Sequence, residues 1–204
     1  MNEVEWVESF VSRLREGLLR DRSGEVPVDV VSGHRLAYTS EVISYDASGA
    51  ARPKSQGYET DLLVVDRQQD GAWTPRVVVE CKLQKITTHD ALTYSAKAAT
   101  HKHVHPYLRY GILIGEQTVL PGRLMRHGAH FDFMASWATA TASRLEWDDF
   151  VSLLADEVVA SRRLEALLFG SRQRDRPKYR ILHRPLRLTL ADGAASVDEG
   201  SDEP

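Results

Sequence analysis

Asp61, Glu80 and Lys82 are the residues of this chain whose types and spacing carry a definite chemistry. Asp61 heads the run Asp61-Leu-Leu-Val-Val-Asp66, and Glu80 and Lys82 close Val77-Val-Val-Glu-Cys-Lys82. Both runs are short, apolar and rich in β-branched residues, the pattern of buried strands. Asp70-Gly71 between them is a hairpin turn pair. A turn centred there sets Asp61 directly across from Glu80, with Cβ atoms roughly 4.5–5.5 Å apart. Side chains alternate along a strand, so Lys82 falls on the Glu80 face one pleat further on. Opposed carboxylates repel and weaken a sheet, whereas a bound divalent cation reverses the sign of that interaction. Mg²⁺ suits the site, because it takes oxygen ligands and is often held by one or two carboxylates plus substrate phosphate. An ammonium beside it can hold a water or stabilise charge developing on phosphorus. An ion cluster at an exposed sheet end is the alternative, and such clusters contribute little stability.

The elements around this trio give it context. Leu62, Val64, Val77, Val79 and Cys81 line one hairpin face, and Leu63, Val65 and Val78 share the other with the acids. Both faces are apolar, so the strands are expected to be central and covered on both sides. Val4, Val7, Val11, Leu14 and Leu18, with Phe10 at the edge, mark a first helix over roughly Glu3 to Leu19. A strand is expected around Leu36–Ser44, and the Gly-, Ser- and Pro-containing stretch 46–57 reads as a loop. Thr87-Thr88-His89-Asp90 is a helix start, with the helix running from about His89 to Val104 ahead of Pro106. Tyr110–Gly115 reads as a further buried strand, and a strand–helix–strand crossover requires it to run parallel to its partner. Residues 117–130 read as a loop, Phe131–Trp137 as a fifth strand and Glu146–Phe169 as an amphipathic helix.

This order resembles the PD-(D/E)XK nuclease superfamily: a helix, a hairpin carrying Asp and then Glu-x-Lys, a helix and a further strand. Asp61 matches the family's Asp, Glu80 its second acid and Lys82 its lysine, with Thr60 in place of the common Pro. The resemblance covers roughly residues 1–116. It implies a restriction-endonuclease-like α/β fold with a mixed central sheet and helices on both faces. It also implies a Mg²⁺-dependent (or Mn²⁺-dependent) phosphodiesterase, with nucleic acid, DNA above all, as substrate. Asp61, Glu80 and the backbone carbonyl of Cys81 would ligate the metal.

Other residues enter as accessories. Glu8 on the first helix and Glu59, two residues before Asp61, are candidate additional acids, although a surface role suits both. Lys97 and His101 are four apart on one helical face and are placed to reach a phosphate backbone. His101 and His105 have a metal-ligating spacing, but no Glu-x-x-His context or cysteine pair accompanies them. Arg172, Arg174, Arg176 and Lys178 form a basic segment that reads as a phosphate-contacting arm or a solvated linker.

The chain has 204 residues, a net charge of −3 and one cysteine. That length suits one domain over residues 1–190, and a single cysteine excludes an internal disulfide framework. Residues 191–204 hold five acids and no base, the composition of a disordered tail. Without those five acids the net charge turns positive, so the overall sign does not exclude nucleic acid. No apolar run approaches the length of a membrane span, and the N-terminus lacks a signal-peptide pattern; a cytoplasmic protein is expected. Two alternatives stand beside the nuclease: a non-catalytic nucleic-acid-binding protein that keeps the fold, and an interaction module acting with a partner subunit. A homodimer would suit cutting of both duplex strands.

Overall fold

The computed structural model describes residues 1–20, 26–170, 180–181 and 188–189. Met1–Gly170 forms a compact unit of its own, and the architecture below is that of this unit. The basic segment Arg172–Lys178 and the acidic stretch 191–204 lie outside the described residues.

The chain follows the order α1 (Glu3–Arg20), β1 (Val28–Tyr45), β2 (Ala51–Arg67), β3 (Trp73–Leu83), α2 (Thr88–Val104), β4 (Arg109–Gly115), α3 (Gly122–His127), β5 (Phe133–Ser136) and α4 (Arg144–Phe169). Five strands form one mixed sheet in sequence order. β1, β2 and β3 are antiparallel neighbours, whereas β3–β4 and β4–β5 are parallel. The expected α/β class, mixed sheet and flanking helices are therefore all present.

Alternation along the strands divides the apolar side chains between the two faces. Leu62, Val64, Val77, Val79, Cys81 and Leu113 pack against α1 and α4 through Phe10, Leu14, Phe150 and Leu154. Leu63, Val65, Val78 and Tyr110 face Ala98 of α2, and Ile112 and Ile114 face Ala91 of α2 and Leu124 of α3. Trp6, Phe10, Trp137 and Trp147 meet edge-on or tilted, with ring centroids 5.0–6.4 Å apart. Such pairs contribute about 0.5–1.5 kcal/mol each beyond their buried area. Gly115 admits this cluster to the sheet end, because a Cβ there would lie 2.6 Å from the Trp6 ring.

Several local expectations change. Val4 is 72 % exposed and Trp6 takes the buried position at that end of α1, since two residues on a helix differ by about 200° and the indole side is the one that faces Gly115. The stretch 46–57 is a tight turn followed by strand: Asp46 caps it by accepting the N–H groups of Ser48 and Ala50, and β2 begins at Ala51. Pairing with β1, in the register Glu41↔Lys54 and Ser44↔Arg52, overrides the loop-like composition. The segment 117–130 contains the short α3, and β5 is confined to four residues.

The long β1–β2 hairpin is bent. His34 pairs with Thr60 and Trp73 with Arg67, seven positions apart along β2, roughly 23 Å in a straight strand. Yet the His34 and Trp73 rings are 5.0 Å apart. The ribbon therefore curls over the α2 face of the sheet, where the Ala37 carbonyl lies 3.0 Å from His101 Nδ1. The corner falls at Gly33, whose φ of +61° is open to glycine and costly for other residues. Asp61 stands opposite this corner, between the Ser32↔Leu62 and His34↔Thr60 pairs.

Candidate functional site

The β2–β3 ladder places the two acids. Leu62↔Val79, Leu63↔Val78 and Val64↔Val77 are the register expected from the Asp70-Gly71 turn, with a bulge only beyond Val64. Asp61 and Glu80 are the next residues on either side, where the ladder ends. Asp61 Oδ2 accepts the Cys81 N–H at 2.7 Å, and the Asp61 and Glu80 carboxyls are near enough to share a hydrogen bond. N–H and C=O of one strand residue leave the strand on the same edge, so the Cys81 carbonyl faces the side on which Asp61 sits. The Cys81 thiol points the other way into the α1–α4 core and is 1 % exposed.

Burial sets the electrostatics. Glu80 is 1 % exposed. Burial raises its proton affinity first, Asp61 raises it further, and Lys97 and Tyr110 oppose the rise. Asp61 is raised by burial and by Glu3, against the Cys81 N–H and Lys97. Burial above all raises the proton affinity of both acids, so holding both ionised in the folded chain carries a cost that a bound cation would offset.

The cations divide differently from the sequence expectation. Lys82 follows Glu80 by one pleat, but its ammonium pairs with Glu3 of α1 at 2.8 Å. That contact raises its proton affinity against partial burial, with Asp90 and Asp61 adding to it. Lys97, brought over the sheet by α2, is the cation on Glu80: its Nζ lies 3.3 Å from Oε2 and 3.4 Å from Oε1. Tyr110 donates its hydroxyl to Glu80 Oε1. The phase of α2 is fixed by a reciprocal capping box between Thr87 and Asp90.

Of the accessory residues, Lys97 alone reaches the acids. Glu8 accepts a hydrogen bond from Ser32 of β1 instead, because α1 carries it along the sheet rather than over its end. Glu59 is exposed and paired with Arg35 across the bent ribbon. His101 is fully buried, bound to the Ala37 carbonyl and stacked on Tyr110 at 5.6 Å. It supports the site from beneath and is not presented to a phosphate backbone. Burial lowers the proton affinities of His101 and His105, the latter to about 4.

Two members of the site were missed in the sequence. Tyr110 was recoverable: a parallel β3–β4 pair puts Tyr110, Ile112 and Ile114 on one face, the face of Glu80. Glu3 had no such signal, since its approach to Lys82 depends on how closely Trp6 seats α1 on Gly115.

Among the described residues no three His, Cys, Asp or Glu side chains come together as a metal-binding group. The Asp61 and Glu80 carboxyls with the Cys81 carbonyl are an all-oxygen set, of the kind that suits Mg²⁺, which keeps several waters, better than zinc. No described helix is long and apolar enough to cross a membrane. Comparison with protein-family models and with curated proteins gives no match.

Proposed function

We propose that the protein is a Mg²⁺-dependent nuclease of the PD-(D/E)XK type, acting on DNA. The observation that carries this reading is the meeting of Asp61 and Glu80 at the end of the β2–β3 ladder, Glu80 buried and Asp61 half-buried, with burial raising the proton affinity of each. The order of helix, hairpin, helix and parallel strand around them supports it. Asp61, Glu80 and the Cys81 carbonyl would hold Mg²⁺, which when bound polarises a phosphoryl oxygen and lowers the pKa of a water. Tyr110 and the Cys81 N–H fix the orientations of the two carboxylates. Lys82 supplies positive charge on the same sheet face, where it stabilises charge developing on a scissile phosphate.

The short Lys82–Glu3 contact favours a second reading, in which the lysine is structural and the fold binds nucleic acid without cleaving it. One experiment separates the two. Purified full-length protein is incubated with supercoiled, linear and single-stranded DNA in Mg²⁺, Mn²⁺ or EDTA, beside Asp61→Ala. Metal-dependent cleavage lost in the variant supports the nuclease. Binding without cleavage on every substrate supports the second reading.

A further inference from the structure

We infer that Lys97 is a placeholder cation: it occupies the acidic pair in the metal-free protein, and on metal binding it is released to hold a phosphate of the nucleic acid. The inference rests on the nuclease reading and concerns how the same site switches between two charge states.

Three features of the geometry carry it. First, the two ammonium groups near the acids are held unequally. Lys82 is bound by Glu3 at 2.8 Å, whereas Lys97 straddles both Glu80 oxygens at 3.3 and 3.4 Å. Charge-assisted bonds of good geometry are roughly 2.7–2.9 Å long, so the Lys97 contact is electrostatic and loose. Second, Lys97 lies between Glu80 and solvent. Its side chain is 24 % exposed while that of Glu80 is 2 % exposed, so a phosphate in solvent can reach the lysine without entering the buried part of the site. Third, Lys97 has neighbours besides the acid. From its place beside Glu80 the Nζ also lies 5.3 Å from the Tyr94 ring centre and 5.8 Å from that of Tyr58, within the range in which an aromatic face attracts a cation. These rings would still attract the ammonium if the pull of Glu80 were cancelled.

The consequence is an exchange of charges. A divalent ion held by Asp61 and Glu80 would cancel the attraction on Lys97 and repel it. The ammonium, anchored on α2 beside the two acids, would then be available to a phosphate oxygen of the nucleic acid. Lys97 therefore competes with the metal in the free protein and cooperates with it once nucleic acid is present.

The test uses the full-length chain, wild type against Lys97→Met and Lys97→Arg. Mg²⁺ affinity without nucleic acid is measured by calorimetric titration. Lys97→Met should bind Mg²⁺ roughly fivefold more tightly, the equivalent of one modest ion pair, and Lys97→Arg should stay near wild type. Binding of a short DNA duplex is then measured in EDTA and in Ca²⁺. Lys97→Met should lose affinity for the duplex in Ca²⁺ and keep it in EDTA, where the wild-type lysine is engaged by Glu80. A merely structural lysine would lower both equally. If Lys97→Met folds poorly, Lys97→Gln serves for the same two titrations. Wild-type protein that binds and uses Mg²⁺, with unchanged or weaker Mg²⁺ affinity in the neutral variants, would overturn this inference and leave the nuclease reading standing. Wild-type protein that binds no Mg²⁺ would overturn both.

Discussion

Asp61 closes the β2–β3 ladder with its side chain, accepting the Cys81 N–H at 2.7 Å. The carboxylate thus takes a main-chain partner that β2 no longer supplies, and it is locked one residue from Glu80. A group used in this way is oriented before any ligand arrives, which is what a metal site requires of its acids.

Asp61→Asn should stabilise the metal-free protein. The amide oxygen keeps the bond to Cys81 and the amide nitrogen can donate to Glu80, while the half-buried negative charge is gone. Both acids have raised proton affinities, so their contribution to stability is present at low pH and is lost as pH rises through the raised values. The advantage of the variant should therefore grow from pH 4 to pH 8 and reach about 1 kcal/mol, read by urea titration. The same variant should lose any rise in melting temperature on adding Mg²⁺. A variant less stable than wild type at pH 8 would contradict the charge balance described for the site.

Cys81 should be inert. Its thiol is 1 % exposed, and burial, with the nearby acids, raises its proton affinity well above the usual value. A disulfide reagent should modify it only on unfolding, and Cys81→Ser should leave the metal dependence of any cleavage unchanged. Fast labelling of the native protein would mean that β3 does not have the register found here.

Gly33→Val tests the corner in the β1–β2 ribbon. A φ of +61° costs a β-branched residue about 1–2 kcal/mol. Stability should fall by that amount. Because Gly33 stands opposite Asp61, any metal-dependent cleavage should fall as well, whereas Gly71→Ala at the remote turn should cost stability only.

Asp66 carries a different load. It is 3 % exposed and accepts from Arg76 at 2.6 Å and from Arg162 of α4 at 2.6 Å. Asp66→Ala leaves the buried Arg76 without this partner and should cost about 3–5 kcal/mol in denaturant unfolding. Any cleavage by the variant that remains folded should keep its dependence on Mg²⁺.

The histidines of α2 predict an acid limb. Burial holds His101 and His105 below their usual proton affinity, His105 at about 4. The unfolded chain takes up these protons first, so the stability they confer is complete above about pH 6.5 and is lost as pH falls towards 4. As pH falls across that window, His105→Gln should gain melting temperature relative to wild type. An unchanged profile in that variant would overturn this assignment. Asp29 acts at lower pH: burial raises its proton affinity, but Arg67, Arg15 and the Val30 N–H outweigh it and leave it lowered, so the stability it confers is lost only in stronger acid.

The sequence alone determined the register of the central hairpin, because Asp70-Gly71 fixes the turn and period-two alternation fixes the faces. It determined the inward thiol of Cys81 and the parallel β3–β4 pair for the same local reasons. Tertiary structure decided the rest. The Gly- and Pro-bearing stretch 51–57 became strand because β1 supplies hydrogen bonds that composition cannot announce. Which acid of α1 approaches the site was decided by the seating of Trp6 on Gly115, a contact between residues far apart in the chain, and it chose Glu3 over Glu8. The assignment of the two lysines was decided in the same way. Lys82 and Lys97 have equal charge and similar reach, and only the packing of α1 and α2 on the sheet gives one to Glu3 and the other to Glu80.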